Sequence, residues 1–504
     1  MYFFNYILYI LLYFCQATFT RLFRISQFFH KTTYFGDFII FFLQKLVKRA
    51  KKCYNIFMDK LISFLKSSLT SYHACENVAS ILKDNAFTQL FENQDFQLCE
   101  GGKYFISRAG AIIAFTVGGL DNFSYKITAS HLDSPALKLK ENPTLSKGNC
   151  FTLNTETYGG GIWYSFFDRP LRIAGRVVKN ENGRVFSQTA TAPYLVQIPS
   201  LAVHQNRSVN DGFSINPQID LQPLLALDTA EDWLSNLAGE NVVSYDLYLV
   251  HDGAPYTFGL HDEFIASPRI DNLTSAYASI EGLLSKADSD GICVTALFSA
   301  EEIGNTTLSG ASGDFLENTL RRIAYALRFD DNEYYKALAS SFLLSVDNAH
   351  AVHPNHSEKA DITNKTALGG GVVIKSHAGG AYVTDAVSSA VVKTVFEKAG
   401  VRYQSFFNRS DVRSGSTLGA SVQKRSGMAG ADIGLAQLAM HSACECFAKD
   451  DYLELVNALT AFFSSDFLAE ENGFVIRYSA IFHEKAPTGV GAFFRYFMNA
   501  LNAR

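Results

Sequence analysis

The stretch Ile292–Gly304, ICVTALFSAEEIG, decides the fold. Seven residues that are apolar or small and β-prone run without a charge, then two adjacent glutamates follow. A run of that length, lacking polar alternation, reads as a strand buried on both faces. Its neighbours are helical. SAYASIEGLLSKA (275–287) precedes it and FLENTLRRIAYAL (315–327) follows it, both with apolar residues at helical spacing. The alternation continues with a strand in FLLSVD (342–347), a helix in VSSAVVKTVFEKAG (387–400) and a last helix in DYLELVNALTAFFSS (451–465). Strands alternating with helices predict an α/β fold, a central sheet flanked by helices.

Upstream, MDKLISFLKSSLTSYHACENVASILKDN (58–85) predicts two amphipathic helices broken at Ser68–Tyr72. YFISRAGAIIAFTVG (104–118) and SYKITASH (124–131) predict two strands, the second ending on His131. Between about 146 and 255 the texture turns β-rich. GRVVKNENGRVFSQ (175–188) is a hairpin signal around Asn182-Gly183, and YDLYLV (245–250) is a further strand. Asn206–Leu225 is polar and Pro-punctuated, and reads as a long loop. The predicted organisation is a core in two parts, 58–145 and 256–465, split by a β-rich insert at 146–255, with a tail at 466–504.

The chain has 504 residues, 48% apolar and 18% charged, enough to bury a sizeable core. The net charge of −5 argues against a nucleic-acid binder, which would show a basic domain or stripe. Eight cysteines without a C-x-x-C pair form neither a disulfide framework nor a common zinc knuckle. The average conceals an uneven chain. Residues 1–57 hold 12 of the 42 Phe and six of the 24 Tyr and carry +7, which leaves −12 for residues 58–504. YFFNYILYILLYF (2–14) and the later KLVKRAKK (45–52) are compatible with a membrane or targeting segment. The same composition is what AT-rich noncoding DNA yields on translation, and Met58 is the first methionine after Met1. The expectation is therefore a cytoplasmic enzyme starting near Met58, with membrane attachment through 1–57 as the alternative.

Five segments set a metal-ligating side chain beside a predicted strand end: SHLDSP (His131, Asp133), SPRIDNL (Asp271), FSAEEIG (Glu301, Glu302), SVDNAHAVHPN (Asp347, His350, His353) and AMHSACE (His441). Singly, each would be an ordinary cap or core hydrogen-bonder. Together they suit a site in the crevice beyond the strand ends, and imidazole with carboxylate suits zinc, manganese or cobalt. The glycine runs Tyr158–Gly161 and Leu368–Gly371 precede no Lys-Ser/Thr pair, and read as tight turns or close backbone approaches. RSGST (413–417) lacks the elbow of a serine hydrolase.

The order H-x-D, D-N-L, S-A-E-E-x-G, S-x-D-x-A-H-A-x-H-P-N and A-M-H-S resembles the aspartyl aminopeptidase family, which includes vacuolar aminopeptidase I. The resemblance runs over about 58–465 and extends to IPSLAVHQNR (198–207), GGGVVIK (369–375) and RSDVRSGSTLG (409–419). It implies a metallo-aminopeptidase core with an inserted dimerisation domain, assembling through dimers into a dodecamer. It implies two divalent metal ions, zinc first, with Asp271 bridging, His131 and Asp347 completing one site and Glu302 and His441 the other. Glu301 would be the general base for a metal-activated water, and Asp133 would orient the His131 imidazole. Lys375 would partner an acidic first residue of a peptide substrate. His204 would reach a neighbouring subunit's site, and His350 and His353 would lie near the reacting group. The implied activity is removal of N-terminal residues, preferentially Asp or Glu. The rivals are a relative with neutral preference and a non-catalytic peptide-binding shell.

Overall fold

The computed structural model describes residues 54–478. The aromatic, basic segment lies outside these residues except for its last four, and so does the tail beyond 478. Among the described residues no helix is long and apolar enough to cross a membrane.

A nine-stranded mixed sheet forms the centre, in the order 88–89, 103–108, 111–117, 292–298, 125–131, 342–346, 429–434, 372–375 and 403–406. Its middle strands Ile292–Phe298, Tyr125–His131, Phe342–Val346 and Ala429–Gly434 run parallel. The first three are buried along their whole length, as their continuous apolar character requires. Helices cover both faces. On one, 54–67, Ser71–Asp84, Ile270–Ser285, Ala386–Ala399 and Lys449–Phe463 pack into a single apolar cluster. On the other, Phe315–Ala326, Asp331–Ala339 and Leu418–Ser426 form a second. The predicted α/β class is what the chain adopts.

Residues 136–251 contribute a six-stranded antiparallel sheet in the order 184–196, 171–181, 242–251, 136–147, 150–158 and 224–227. The hairpin signal is met: Leu171–Glu181 and Arg184–Val196 pair around Asn182-Gly183, both with positive φ.

Four expectations need correction. YFISRAGAIIAFTVG is two strands, Lys103–Arg108 and Ala111–Val117, because Ala109 and Gly110 turn the chain with φ of 47° and 87°. The six-stranded sheet begins at Ala136, not at 146, since Ala136–Lys147 pairs with Cys150–Tyr158 and with Val242–His251. The first helix already includes Tyr54, ahead of Met58. Phe57 is buried, and the Tyr54 hydroxyl donates to Asp450 Oδ1 at 2.9 Å. Past Phe463, Ser465–Glu470 and Gly473–Tyr478 form a hairpin on the core, where Phe467 stacks on Phe342 with ring centroids 5.4 Å apart. Asp466 of this hairpin pairs at 2.8 Å with Lys126, a buried lysine on the central strand Tyr125–His131.

Candidate metal centre

The parallel strands deliver their carboxyl ends to one edge of the sheet. His131 is the last residue of its strand. Glu301 and Glu302 follow Phe298 after the left-handed Ala300 (φ 70°), and Asp347 follows Val346. Asp271 comes from the first turn of the helix Ile270–Ser285. His441 comes from the loop between the short strands Ala436–Leu438 and Glu445–Ala448, with φ of 68°.

Asp271 stands between the two imidazoles. His131 Nε2 lies 3.5 Å from Asp271 Oδ1 and 3.5 Å from Asp347 Oδ1. His441 Nε2 lies 3.5 Å from Asp271 Oδ2 and 3.5 Å from Glu302 Oε2. These separations are long for hydrogen bonds. They match the edge of a tetrahedron around zinc, roughly 3.3–3.4 Å for bonds of about 2.0–2.1 Å. Glu301 and Glu302 also approach His131 closely enough to share an ion. Among the described residues Asp271 Oδ1 and Glu302 Oε1 are buried without a hydrogen-bond partner, a costly state that a cation would relieve. The residues present therefore fit a pair of divalent cations with Asp271 common to both.

The surroundings aim the imidazoles. His131 Nδ1 donates to the Asp133 carbonyl at 3.1 Å and His441 Nδ1 donates to the Gly160 carbonyl at 2.9 Å, so each Nε2 lone pair faces the carboxylates. The Asp133 carboxylate accepts the backbone N–H of Glu301 and of Glu302, each at 3.2 Å, and the Tyr158 hydroxyl at 2.8 Å. Burial pushes the Glu301 carboxyl up to about 7; His131 opposes this, while Asp347, Asp133 and Asp271 add to it. Burial also pushes Glu302 well up. Burial would lift Asp271 as well, but the two imidazoles outweigh it and hold its carboxyl below the usual range. Burial opposes charge on His441, yet Asp271 and Glu302 raise it to about 10.

Of the remaining expected residues, Lys375 is fully buried, with Nζ 3.4 Å from Asp347 Oδ2 and 3.2 Å from the Asn348 carbonyl. His350 and His353 are exposed on the segment after Asp347. His353 Nδ1 accepts the Asn355 amide, and neither histidine belongs to the cluster. His204 is exposed in the loop after Ile198 and likewise stands outside it.

Sequence reading missed Glu445, four residues past His441. It is 2% exposed and accepts the amides of both Asp271 and His441. An acid alternating with apolar residues in a strand-like run was the available signal. Asn348 was also missed; its amide group donates to the Ile270 carbonyl, Thr274 Oγ1 and Gln437 Oε1.

The family profile described as "Aminopeptidase I zinc metalloprotease (M18)" matches residues 64–463. A relative from Clostridium acetobutylicum, named "Probable M18 family aminopeptidase 2", is 38% identical over 427 residues, covering 81% of this chain and 98% of its own. A chain in a cryo-EM structure of the Ape4 and Nbr1 complex superposes with a TM-score of 0.77 at 32% identity, over 82% of this chain and 86% of that one. The S. cerevisiae mApe1 dodecamer structure gives 0.69 at 24% identity, over 80% and 95%. Every residue of the His131–Asp271–His441 cluster falls inside the matched span, and the chain belongs to the M18 family of zinc metallo-aminopeptidases.

Proposed function

We propose that the protein removes N-terminal residues from peptides, preferentially Asp or Glu. His131 and Asp347 would hold one divalent cation, Glu302 and His441 a second, and Asp271 both. The observation that carries this reading is the carboxylate of Asp271, whose two oxygens each face a different imidazole at 3.5 Å. When bound, the cations would polarise the scissile carbonyl and acidify a water, with zinc first by the family's description and manganese or cobalt as alternatives. Glu301 is the general base. Its carboxylate, set on the turn after Ala300 within reach of the same ion as His131, would take a proton from the attacking water and return it to the leaving amine. Asp133 fixes the turn that carries Glu301 by accepting the Glu301 and Glu302 amides.

Preference for an acidic first residue rests on Lys375. Two of its three N–H donors point to Asp347 and Asn348, which leaves one for a substrate carboxylate. His350 and His353 are candidates to contact the reacting group from the segment after Asp347. Cytoplasmic residence and homo-oligomeric assembly through the six-stranded sheet complete the proposal. The S. cerevisiae mApe1 structure is a dodecamer, and in such an assembly the exposed Leu201, Val203 and His204 loop would meet a neighbour.

The test is hydrolysis of Asp- and Leu-amides by chelated and by zinc-, manganese- or cobalt-supplemented protein, beside Glu301→Gln. Chelation should abolish turnover and a cation restore it. Glu301→Gln should lose turnover by about 10²-fold or more while keeping its cations. Full activity after chelation would overturn the reading.

A further inference from the structure

The YGGG run, Tyr158–Gly161, leaves the last strand residue of Cys150–Tyr158 in the six-stranded sheet and runs directly against the candidate metal centre. Tyr158 donates its hydroxyl to Asp133 Oδ2 at 2.8 Å. The same carboxylate holds the backbone N–H groups of Glu301 and Glu302. Gly159, with φ of 75°, passes so near Glu302 that a Cβ there would stand 3.0 Å from the Glu302 Cβ. The Gly160 carbonyl receives the His441 Nδ1–H, and the Ile162 amide donates to the His441 carbonyl at 2.9 Å. Four contacts, from residues 158, 159, 160 and 162, thus fall on Glu302, on His441 and on the Asp133 carboxylate that holds the Glu301 and Glu302 amides. Each comes from the insert, not from the α/β core.

We infer that Tyr158 is a positioning residue for the Glu301–Glu302 pair, acting through Asp133, and that the 158–162 segment of the inserted sheet sets the geometry of the second cation site. The inference rests on the two-cation reading above. The physical reasons are separate for each contact. Burial and the Asp133 charge keep the Tyr158 phenol protonated, so it is a fixed donor. A carboxylate receiving three donors cannot swing, so the turn after Ala300 that presents both glutamates is held at two successive amides. A ring nitrogen donating to a carbonyl fixes which nitrogen of His441 faces the ligands, and such partners change metal affinity by about 10–100-fold when removed. Only glycine allows the backbone to pass Glu302 at this distance with positive φ.

The experiment is zinc titration by isothermal calorimetry and metal analysis on the full chain, with kcat and KM on an Asp-amide, for wild type, Tyr158→Phe and Gly159→Ala. Tyr158→Phe keeps the ring against Tyr248 and removes only the hydroxyl. It should weaken the second zinc by about tenfold or more and lower kcat with little change in KM. The thermal midpoint should stay near wild type. Gly159→Ala, which presses on Glu302, should weaken the second zinc and spare the first. A Tyr158→Phe protein with wild-type zinc affinities and kcat would overturn the inference. So would a loss of both zinc ions together in the two variants, because that is a global and not a local effect. If Tyr158→Phe does not fold, Gly159→Ala decides alone. Failure of wild type to bind two zinc ions would sink the two-cation reading instead, so the two failures are told apart.

Discussion

Glu445 lies behind Asp271 and holds it by the backbone. Its Oε2 accepts the Asp271 amide at 3.0 Å, while its Oε1 accepts the His441 amide at 2.7 Å and the Gln437 side chain at 3.3 Å. One buried carboxylate thus ties the proposed bridging residue to a histidine 170 positions away in the chain. Burial pushes the Glu445 carboxyl up to about 8, with Asp271 adding to it. Its environment disfavours charge, and only the donors that surround it make the position tolerable.

Glu445→Ala should therefore leave the buried Asp271 amide unsatisfied, at a cost of about 1–3 kcal/mol of stability, and the part-buried His441 amide as well, at a smaller one. Zinc affinity should fall with it, since both Asp271 and His441 lose their anchor. Glu445→Gln, which still offers one acceptor oxygen, should lose less. Urea unfolding and zinc titration of the two variants check the order.

Lys375→Met keeps the buried stem and removes the charge beside Asp347. Turnover of an Asp-amide should fall far more than turnover of a Leu-amide, by about tenfold or more if one charge-assisted hydrogen bond of about 1.5–3 kcal/mol is lost. Equal losses on both substrates would assign Lys375 to holding Asp347 alone. Steady-state kinetics on the pair of amides distinguishes the two.

His73 joins the helix Ser71–Asp84 to the six-stranded sheet, with Nδ1 2.9 Å from Thr70 Oγ1 and Nε2 2.9 Å from Thr191 Oγ1. Burial, and then the Arg269 charge, hold the imidazole down at about 4 against an ordinary 6.5. Between those values the unfolded chain binds a proton that the folded chain refuses. Stability from this group is present above about 6.5 and is lost as pH falls toward 4, at no more than about 1.4 kcal/mol per pH unit. His73→Gln should flatten that dependence. Urea midpoints at pH 7 and pH 5 for both proteins measure it.

Asp466→Ala removes the partner of Lys126, whose side chain is 2% exposed. It also removes an acceptor for the Asp290 amide. Because Asp466 keeps 23% exposure, the cost should be about 1–3 kcal/mol, below that of a fully buried pair. The centre lies at the opposite end of the strand Tyr125–His131, so zinc affinity should not change. Denaturation and zinc titration read the two effects separately.

Much of the fold was legible because its signals are local. Continuous apolar runs marked Ile292–Phe298 and Phe342–Val346, and helical spacing marked Phe315–Ala326 and Lys449–Phe463. The turn at Ala109–Gly110 was not, because alanine carries no signal for a positive φ. The change of texture puts the boundary of the insert at 146, inside the strand Ala136–Lys147, and only the pairing of that strand with Val242–His251 shows that it belongs to the inserted sheet.

By itself the sequence determined the parallel strand ends, the order of the acidic and histidine motifs, and the family they belong to. The tertiary structure decided which of those side chains meet. His350 and His353 sit in the most specific motif of the chain, yet they stay outside the cluster. Glu445, the last residue of AMHSACE, and Tyr158, the first of the YGGG run, carry no role in the sequence reading, yet both support it directly. The reason is distance along the chain. The contact between His441 and Gly160 spans 281 residues, and that between Asp133 and Glu301 spans 168. Residue type and local spacing carry no information about such a meeting. It follows from which strands lie side by side in the nine-stranded sheet and from the short strands Ala436–Leu438 and Glu445–Ala448 that carry the His441 loop, and these set the 3.5 Å separations on which the proposed chemistry depends.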